Sequence, residues 1–437
     1  MLKKYKLQNY YYTLVVVGYA LQVFLSGMKP GVLATLLMLL ILFQTCINEA
    51  RYYKAESGGI KAFFKNVTLV DAVVSAYFIY NIFSVIWLTK YGLPVSVFAG
   101  EFVCSVLPVI FYFAAIIHDG NRDRFYKGFA IGFLILGIVS LVLYVWAPQF
   151  YCDYLFRMNY ISKADASTTR VRMESVTGST CFSYLSIVGM IVAAYSAVEV
   201  ISKDINDKSR KREMISAIAF LVFCIALVFL ANSRAGMVTA LLLIAYLNVL
   251  LVFTFKVIDK KYFYGEIAVA VIAILGLCIA TPGAVSKIAA RLISLPGAVG
   301  QRSEQWVAAM NNMHGAWLGN GLGANGHRAL YISENVHVVA DGGLVKLFCE
   351  EGCIGFGLFI YILAVLIAKG IKNLKLCYTE IAIIVSILLM SIGANVIAFQ
   401  LCTPLMWYAF GAISIRTRNN KDLFSYSIKN RCKGEEK

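Results

Sequence analysis

The sequence predicts an all-α membrane protein with about twelve transmembrane helices, forming a single integral membrane domain over residues 1–437. Two observations lead to this fold class. Of the 437 residues, 60% are hydrophobic and only 15% are charged, with a mean hydropathy of +0.73, whereas a soluble domain carries about 25% charged residues. In addition, many windows of about 20 residues are almost free of charge, which is the length that crosses a bilayer core.

The predicted spans follow from apolar runs between helix breakers. In chain order they are about 10–28, 31–47, 67–88, 94–117, 128–147, 181–201, 214–232, 236–255, 267–281, 342–368, 378–399 and 401–415. The first span lacks a small-residue cleavage site and is followed at once by another apolar run. We therefore expect it to stay in the protein as an anchor.

The basic residues predict the orientation of these spans. With the N-terminus in the cytoplasm, the segments on the inside hold 28 of the 40 Lys and Arg residues. The positive-inside rule therefore predicts that both chain termini are cytoplasmic. The same distribution explains the formal charge of +16 through contact with membrane lipid. A nucleic-acid partner is not expected, since that would need basic residues clustered on one folded face.

Two segments predicted to be external are too long for simple turns, residues 148–180 and 282–341. In the second, Trp306, Met310, Met313 and Trp317 recur at helical spacing from Arg302, which predicts an amphipathic helix near 302–317. A transporter normally keeps external loops short and places its chemistry near the bilayer midplane. The long loops instead favour a site at the external membrane surface.

Most of the 11 cysteines lie inside apolar spans, where they behave as small hydrophobic residues. Cys152 and Cys181 flank the first external loop. A disulfide bond between them and two free thiols both fit the sequence.

Arginines near the predicted external face are candidates for binding an anion. Arg234 lies in "NSRAG", where small polar residues leave backbone N–H groups free at a helix junction. Arg302 begins the predicted 302–317 helix, where a cation opposes the helix dipole and binding of an anion would explain it. Both also fit arginines that snorkel to the membrane interface. Arg172 and Arg291 add positive charge to the same face.

Candidate acid–base residues precede the tenth span. His337 and Asp341 are four residues apart and share one face if the helix has already begun there. A carboxylate beside an imidazole is a plausible general base, although Asp341 also fits a helix N-cap. Glu350 and Glu351 lie deeper in the same span, which is costly unless they are paired or face a cavity.

The stretch "GLGANG" fits the G-x-G-x-x-G template at Gly321, Gly323 and Gly326. No strand precedes it, and it is predicted to be external, so the dinucleotide-binding context is absent. These glycines are expected to shape a loop in which backbone turns sharply and approaches closely. The predicted external side also lacks a D-x-D pair and an H-x-x-x-H spacing, so the sequence offers no metal site for a sugar transfer.

Several of these pieces together resemble the O-antigen polymerase/ligase family of bacterial inner-membrane glycosyltransferases. The resemblance covers roughly residues 230–360, and a weaker match lies at "RMESVTGST" (172–180). The matching stretches, in the order and at about the spacing of the family, are "NSRAG", "R-x-x-x-W" at Arg302 and Trp306, "LGNGLGANG" and "ADGGLVKLFCEEGCIGF".

The resemblance implies a GT-C-like helical fold with a large external loop, and metal-independent transfer without a cofactor. It implies a donor glycan on a polyprenyl diphosphate, a glycan acceptor, and in some systems a separate chain-length regulator. Arg234 and Arg302 match the arginines that hold the diphosphate, and Arg172 and Arg291 are further candidates. Asp341 stands where ligases usually have His, which favours a polymerase, and His337 is the alternative base.

These expectations describe a polymerase that joins lipid-linked repeat units by inverting transfer at the outer face of the bacterial inner membrane. The enzyme alternative is an O-antigen ligase that moves a finished glycan to an acceptor. The alternative from another class is a transporter or flippase for lipid-linked sugars, which predicts polar residues within the spans and short external loops.

Overall fold

The computed structural model describes part of the chain, in twelve stretches. They are residues 36–37, 39–40, 67–117, 122–147, 172–173, 175, 177–202, 207–255, 295–326, 329, 337–339 and 341–418. Within them the regular structure is helical, with no strand. The predicted spans 10–28, 31–47 and 267–281 lie outside the described residues, except for four helical residues at 36–37 and 39–40.

The described helices are numbered here in chain order. They are α1 (Leu69–Lys90), α2 (Val95–Glu101 and Ile110–Ile117 with a distorted stretch between them), α3 (Arg122–Trp146), α4 (Ser179–Ser202), α5 (Asp207–Ala231), α6 (Arg234–Val249), α7 (Leu295–Asn311), α8 (Gly343–Lys372), α9 (Leu374–Gly393) and α10 (Thr403–Arg418). In this part of the chain, eight helices are long and apolar enough to cross a membrane, namely α1 to α6, α8 and α9. The coarse prediction of a polytopic helical membrane protein is confirmed.

Local sequence explains how these helices begin and where one is distorted. Thr68 and Asp71 form a capping box at the start of α1, in which the Asp71 carboxylate accepts from the Thr68 N–H at 2.7 Å. In α2, Pro108 lacks an N–H and its ring would clash with the preceding turn. The helix therefore passes through a π-helical stretch, Phe102–Val106, and a 3₁₀ turn, Leu107–Val109.

The core of the bundle is formed by α2, α4, α9 and α10. Its largest fully buried side chains are aromatic, and Trp407 on α10 packs against Tyr77 of α1 and Phe359 of α8. Exposed side chains on the outward faces are apolar, such as Leu241 and Ile392, as expected for surfaces that face lipid. The short helix α10, 16 residues long, corresponds to the last predicted span, 401–415.

The helix predicted near 302–317 has different bounds in the structure. It is α7, which begins at Leu295 and ends at Asn311. Arg302 is therefore in the middle of a helix, so the argument that it opposes the dipole in a first turn was wrong. Trp306 and Met313 pack inward, whereas Met310 and Trp317 are exposed. The stripe fails because Met310 is exposed although it lies within α7, and because the helix ends before Met313 and Trp317.

Candidate functional site

Two predicted site residues form an ion pair between α7 and the start of α8. Arg302 Nε donates to Asp341 Oδ2 at 2.8 Å. The side chains are 29% and 34% exposed, respectively, so the pair is open to a ligand. The residue proposed to bind phosphate and the residue proposed to act as a base are thus in direct contact.

Trp306 fixes the backbone that carries Asp341. One turn along α7 from Arg302, its indole Nε1 donates to the Asp341 carbonyl at 2.5 Å. The neighbouring Gly342 has φ of 109°, and a Cβ there would lie only 2.5 Å from the indole nitrogen. A side chain at Gly342 would therefore separate Trp306 from Asp341. Gly342, and not Asp341, is the N-cap residue of α8, so the capping explanation for Asp341 was wrong.

Arg234 occupies the first position of α6 because the two preceding residues make a tight turn. Asn232 has φ of 52°, the left-handed conformation that often ends a helix. Ser233 then caps α6, accepting from the Gly236 N–H at 3.4 Å. Arg234 is half-buried, and its guanidinium makes no ion pair or hydrogen bond with any residue that the structure describes.

The C-terminus of α9 brings these two arginine-bearing segments together. A Cβ on Gly393 would lie 3.3 Å from the Ala235 Cβ and 3.8 Å from Arg302 Nη1. The start of α6 and the Arg302 guanidinium therefore approach the same point. The start of α8 is also close, since a Cβ on Gly343 would lie 3.3 Å from the Ser391 Cβ on α9.

We call this region the arginine end of the bundle: Arg234, Arg302, Asp341 and the first turns of α6 and α8. Helix N-termini present unpaired N–H groups and the positive end of the helix dipole. Two guanidinium groups beside two such termini suit a diphosphate, whose oxygens accept several hydrogen bonds. Arg302 is paired with Asp341 there. The Arg302 guanidinium can therefore bind a ligand only if this ion pair breaks.

His337 does not share a helical face with Asp341. Residues 337–339 are non-helical and α8 begins only at Gly343, so the condition for the four-residue spacing is not met. His337 is exposed, and its carbonyl accepts from Asn325 Nδ2 at 2.8 Å. Asn325 was missed by sequence reasoning, because its partners are distant in the chain.

The glycine-rich segment, residues 316–326, inserts into a break in α8. Gly352 has φ of 63° and ψ of −170°, which interrupts the helix. The Asn320 and Gly321 N–H groups donate to the carbonyls that end the first half, at 2.9 Å each. The Cys353 and Ile354 N–H groups, which begin the second half, donate to carbonyls of the segment at 2.8 and 3.1 Å. The segment thus satisfies backbone groups that a broken helix leaves open.

The three predicted loop-shaping glycines approach different neighbours. Gly321 and Gly323 have φ of 91° and 92°, and a Cβ on Gly321 would lie 2.9 Å from the Leu88 backbone of α1. Gly326 has no positive φ, and its nearest neighbours include Glu101 and Lys346. The dinucleotide template is therefore matched by a loop packed between α1, α2 and α8.

Lys346 and Glu350, inside α8, are paired with each other, and Lys346 also pairs with α2. Lys346 forms ion pairs with Glu101 of α2 and with Glu350, the latter at 3.6 Å. Glu350 also accepts from the Asn325 N–H at 3.1 Å, and Glu351 accepts from the Tyr77 hydroxyl at 2.7 Å. Glu350 therefore has the charged partner that the sequence required, whereas the second carboxylate oxygen of Glu351 is buried and has no hydrogen-bond partner among the described residues.

Other predicted residues lie near this end or outside the described chain. Arg172 is exposed, and the next residue, Met173, donates its N–H to the Leu230 carbonyl at 3.2 Å, beside the end of α5. Cys181 on α4 has a free thiol. Arg291 and Cys152 lie outside the described residues. Within the described ranges, no three His, Cys, Asp or Glu side chains are grouped to hold a metal, and metal-independent transfer stays a prediction.

No protein-family model matches this chain, and no curated protein matches it.

Proposed function

We propose that this chain is a glycosyltransferase that joins polyprenyl-diphosphate-linked oligosaccharide repeat units into a polysaccharide of the O-antigen, capsule or exopolysaccharide type. The proposal includes a GT-C-like fold with about twelve spans, cytoplasmic termini, and a site at the outer face of the bacterial inner membrane. The observation that supports it best is the Arg302–Asp341 pair close to the start of α6, the helix whose first residue is Arg234.

The proposed chemistry is an inverting displacement. An acceptor sugar hydroxyl attacks the anomeric carbon of the lipid-linked donor, the new glycosidic C–O bond forms, and the bond to the polyprenyl diphosphate breaks. Asp341 accepts the hydroxyl proton, and the diphosphate leaves with the bonding electron pair. Negative charge grows on the leaving group, which is where Arg234 and Arg302 stabilise the transition state most.

Donor binding changes the partner of Arg302 in this proposal. In the structure Arg302 Nε donates to Asp341 Oδ2. A diphosphate offers the guanidinium more acceptors than one carboxylate does. Its arrival draws Arg302 away and leaves Asp341 free to accept a proton, so the base becomes available only when the donor is bound.

Asp341 is favoured over His337 as the base. Asp341 contacts Arg302, and its own carbonyl accepts a hydrogen bond from Trp306. His337 is exposed and is held through its backbone carbonyl.

The test uses cells that lack the chromosomal copy and express single variants. Arg302→Ala is expected to lower polymerisation about 10²- to 10³-fold, as loss of one transition-state donor does, and Asp341→Asn about 10²- to 10⁴-fold. His337→Ala should have a smaller effect. Polymer length is measured on gels, with protein amount measured in the membrane fraction.

Arg212→Ala is the matched control, because Arg212 is an exposed arginine on α5. It should leave the polymer unchanged. Long polymer made by Arg302→Ala at normal protein levels contradicts the proposal. Accumulation of long lipid-linked chains in the null strain, in place of single repeat units, indicates the ligase alternative. Elongation of a purified lipid-linked repeat in the presence of a chelator tests metal independence.

A further inference from the structure

Asn325, which the proposed mechanism does not use, holds the segment that precedes Asp341. The residue is buried, at 2% exposed. Its side-chain Nδ2 donates to the His337 carbonyl at 2.8 Å, and its own carbonyl accepts from the Val339 N–H at 3.0 Å. Asn325 thus pairs with both ends of segment 337–339, as a residue in a neighbouring parallel strand does, with its side-chain amide in place of a backbone N–H.

The hydrogen bonds around Asn325 fix the orientation of its amide. Asn320 Oδ1 accepts from the His314 backbone N–H at 2.8 Å, so Asn320 Nδ2 is the end of that amide that donates. Asn320 Nδ2 donates to Asn325 Oδ1 at 3.1 Å. Asn325 Nδ2 therefore faces the His337 carbonyl, a group that can only accept. Both amides have each donor opposite an acceptor.

Asn325 is also fixed to the buried part of α8. Its N–H donates to Glu350 Oε1 at 3.1 Å, and Glu350 pairs with Lys346 at 3.6 Å. The Lys346 and Glu350 side chains are only 5% and 2% exposed. Through Asn325, the position of segment 337–339 therefore depends on residues in the interior of α8.

A second asparagine holds the same segment. Asn395, which follows the C-terminus of α9, donates from Nδ2 to the Val339 carbonyl at 2.7 Å. The Val339 side chain is fully buried and lies in a small cluster with Ala309 of α7 and Cys349 of α8. Both backbone groups of Val339 are therefore paired, two residues before Asp341.

The backbone contacts around Asp341 matter because the proposed mechanism removes its side-chain partner. Among the described residues, Arg302 is the hydrogen-bond partner of the Asp341 carboxylate, and donor binding draws Arg302 away. The carboxylate, 34% exposed, is then positioned by its backbone. That backbone is held by Trp306 at the Asp341 carbonyl, by α8 after it and by segment 337–339 before it.

We propose that Asn325 is a positioning residue, which holds segment 337–339 so that the Asp341 carboxylate stays in place for proton transfer after Arg302 has moved to the diphosphate. The inference rests on the function proposed above. In this role Asn325 touches neither substrate and acts through Asp341. Its loss should therefore slow the chemical step without weakening donor binding, since a displacement of about 1 Å can cost about 10²-fold in rate.

The first experiment measures kcat and the donor KM separately. Asn325→Ala should lower kcat about 10- to 100-fold and change the donor KM by about twofold or less. Asn373→Ala is the matched control, because Asn373 Nδ2 also donates to a backbone carbonyl, that of Lys369 at 3.0 Å, at the far end of α8. It should leave both constants unchanged. Asn395→Ala should reproduce the fall in kcat, and it provides the test if Asn325→Ala does not accumulate in the membrane.

A double variant tests whether Asn325 acts through Asp341. Adding Asn325→Ala to Asp341→Asn should not lower the residual rate further, because the carboxylate that Asn325 positions is already gone. A general structural defect would instead lower the rate by the same factor in both backgrounds. That result, or an unchanged kcat in both single asparagine variants, overturns the proposal.

Cysteine labelling tests the anchoring of segment 337–339 without any enzyme activity. The buried Val339 is replaced by Cys, and its rate of reaction with a soluble maleimide is measured over the background of the parent protein. Adding Asn325→Ala should raise this rate about tenfold, because the buried His337 carbonyl loses its partner and the segment opens more often. Adding Asn373→Ala should not. Equal rates for the two variants mean that Asn325 does not anchor the segment.

The two kinds of measurement separate this inference from the proposed function. If Asp341→Asn abolishes polymerisation while Asn325→Ala changes neither kcat nor labelling, the function stands and the positioning role is wrong. If Asn325→Ala speeds labelling while Asp341→Asn and Arg302→Ala still make long polymer, the anchoring stands and the proposed function is wrong.

Discussion

At the residue scale, Gly352 has the most constrained backbone conformation in α8. Its φ of 63° is left-handed, and a Cβ there would lie 2.4 Å from the Gly319 nitrogen and 2.5 Å from the Trp317 carbonyl oxygen. Both neighbours are backbone atoms of the inserted segment, so neither can rotate away. Gly319 faces the same constraint from the other side, with φ of 72°. The break in α8 and the inserted segment therefore depend on a pair of glycines in contact.

Replacing Gly352 with Ala should destabilise the protein by about 3 kcal/mol or more, since left-handed strain adds to a backbone clash. Gly357→Ala is the matched control, because Gly357 lies in the same helix with nothing within 4 Å of its Cβ position. Thermal unfolding in detergent measures the difference. If the Gly352→Ala and Gly357→Ala proteins unfold at the same temperature, the break in α8 is not needed for stability.

At the element scale, the sequence predicted the positions of the described spans but not their internal breaks. Apolar length alone defines a span, so α1, α3 and α4 lie close to their predicted ranges. The break at Gly352 was not predicted, because the groups that satisfy it come from residues 316–321, some thirty positions earlier. The same reason explains why Asn325 was missed. Arg302 and Asp341 were predicted from their local motifs, and the structure shows only that they are in contact.

Contacts between elements at the other end of the bundle lead to a prediction about stability. Glu380 on α9 is fully buried; it accepts from Arg416 of α10 at 2.6 Å and pairs with Arg122 of α3 at 3.4 Å. Glu380→Gln leaves two guanidinium groups without their carboxylate, which should cost about 3 to 5 kcal/mol.

Thermal unfolding checks this expectation, with Glu213→Gln as the control, since Glu213 is exposed and surface charges change stability by about 0.5 kcal/mol or less. The molecules of Glu380→Gln that do fold should keep the wild-type KM for the donor, because Glu380 is remote from the arginine end. A raised KM with unchanged stability contradicts the structural role.

At the scale of the whole molecule, the two ends of the bundle differ in chemistry. The arginine end has half-exposed charges and a guanidinium without a partner among the described residues. The opposite end has buried ion pairs, including Arg418 with Asp71 at 2.5 Å. The arginine end also has a buried ion pair, Lys346 with Glu101, so its distinguishing feature is that Arg302 and Asp341 are partly exposed. The proposed function requires that the arginine end be the external one.

Labelling with a membrane-impermeant maleimide tests that orientation. Asn312 follows α7 at the arginine end and Arg212 lies in the first turns of α5 at the opposite end, and both are exposed. Asn312→Cys should be labelled in intact spheroplasts, whereas Arg212→Cys should react only after the membrane is permeabilised, because positively charged loops stay in the cytoplasm. The wild-type protein has 11 cysteines, and its labelling gives the background that is subtracted for both variants. The reverse pattern would place Arg302 and Asp341 in the cytoplasm, where a polymerase acting on an outer-leaflet donor has no substrate.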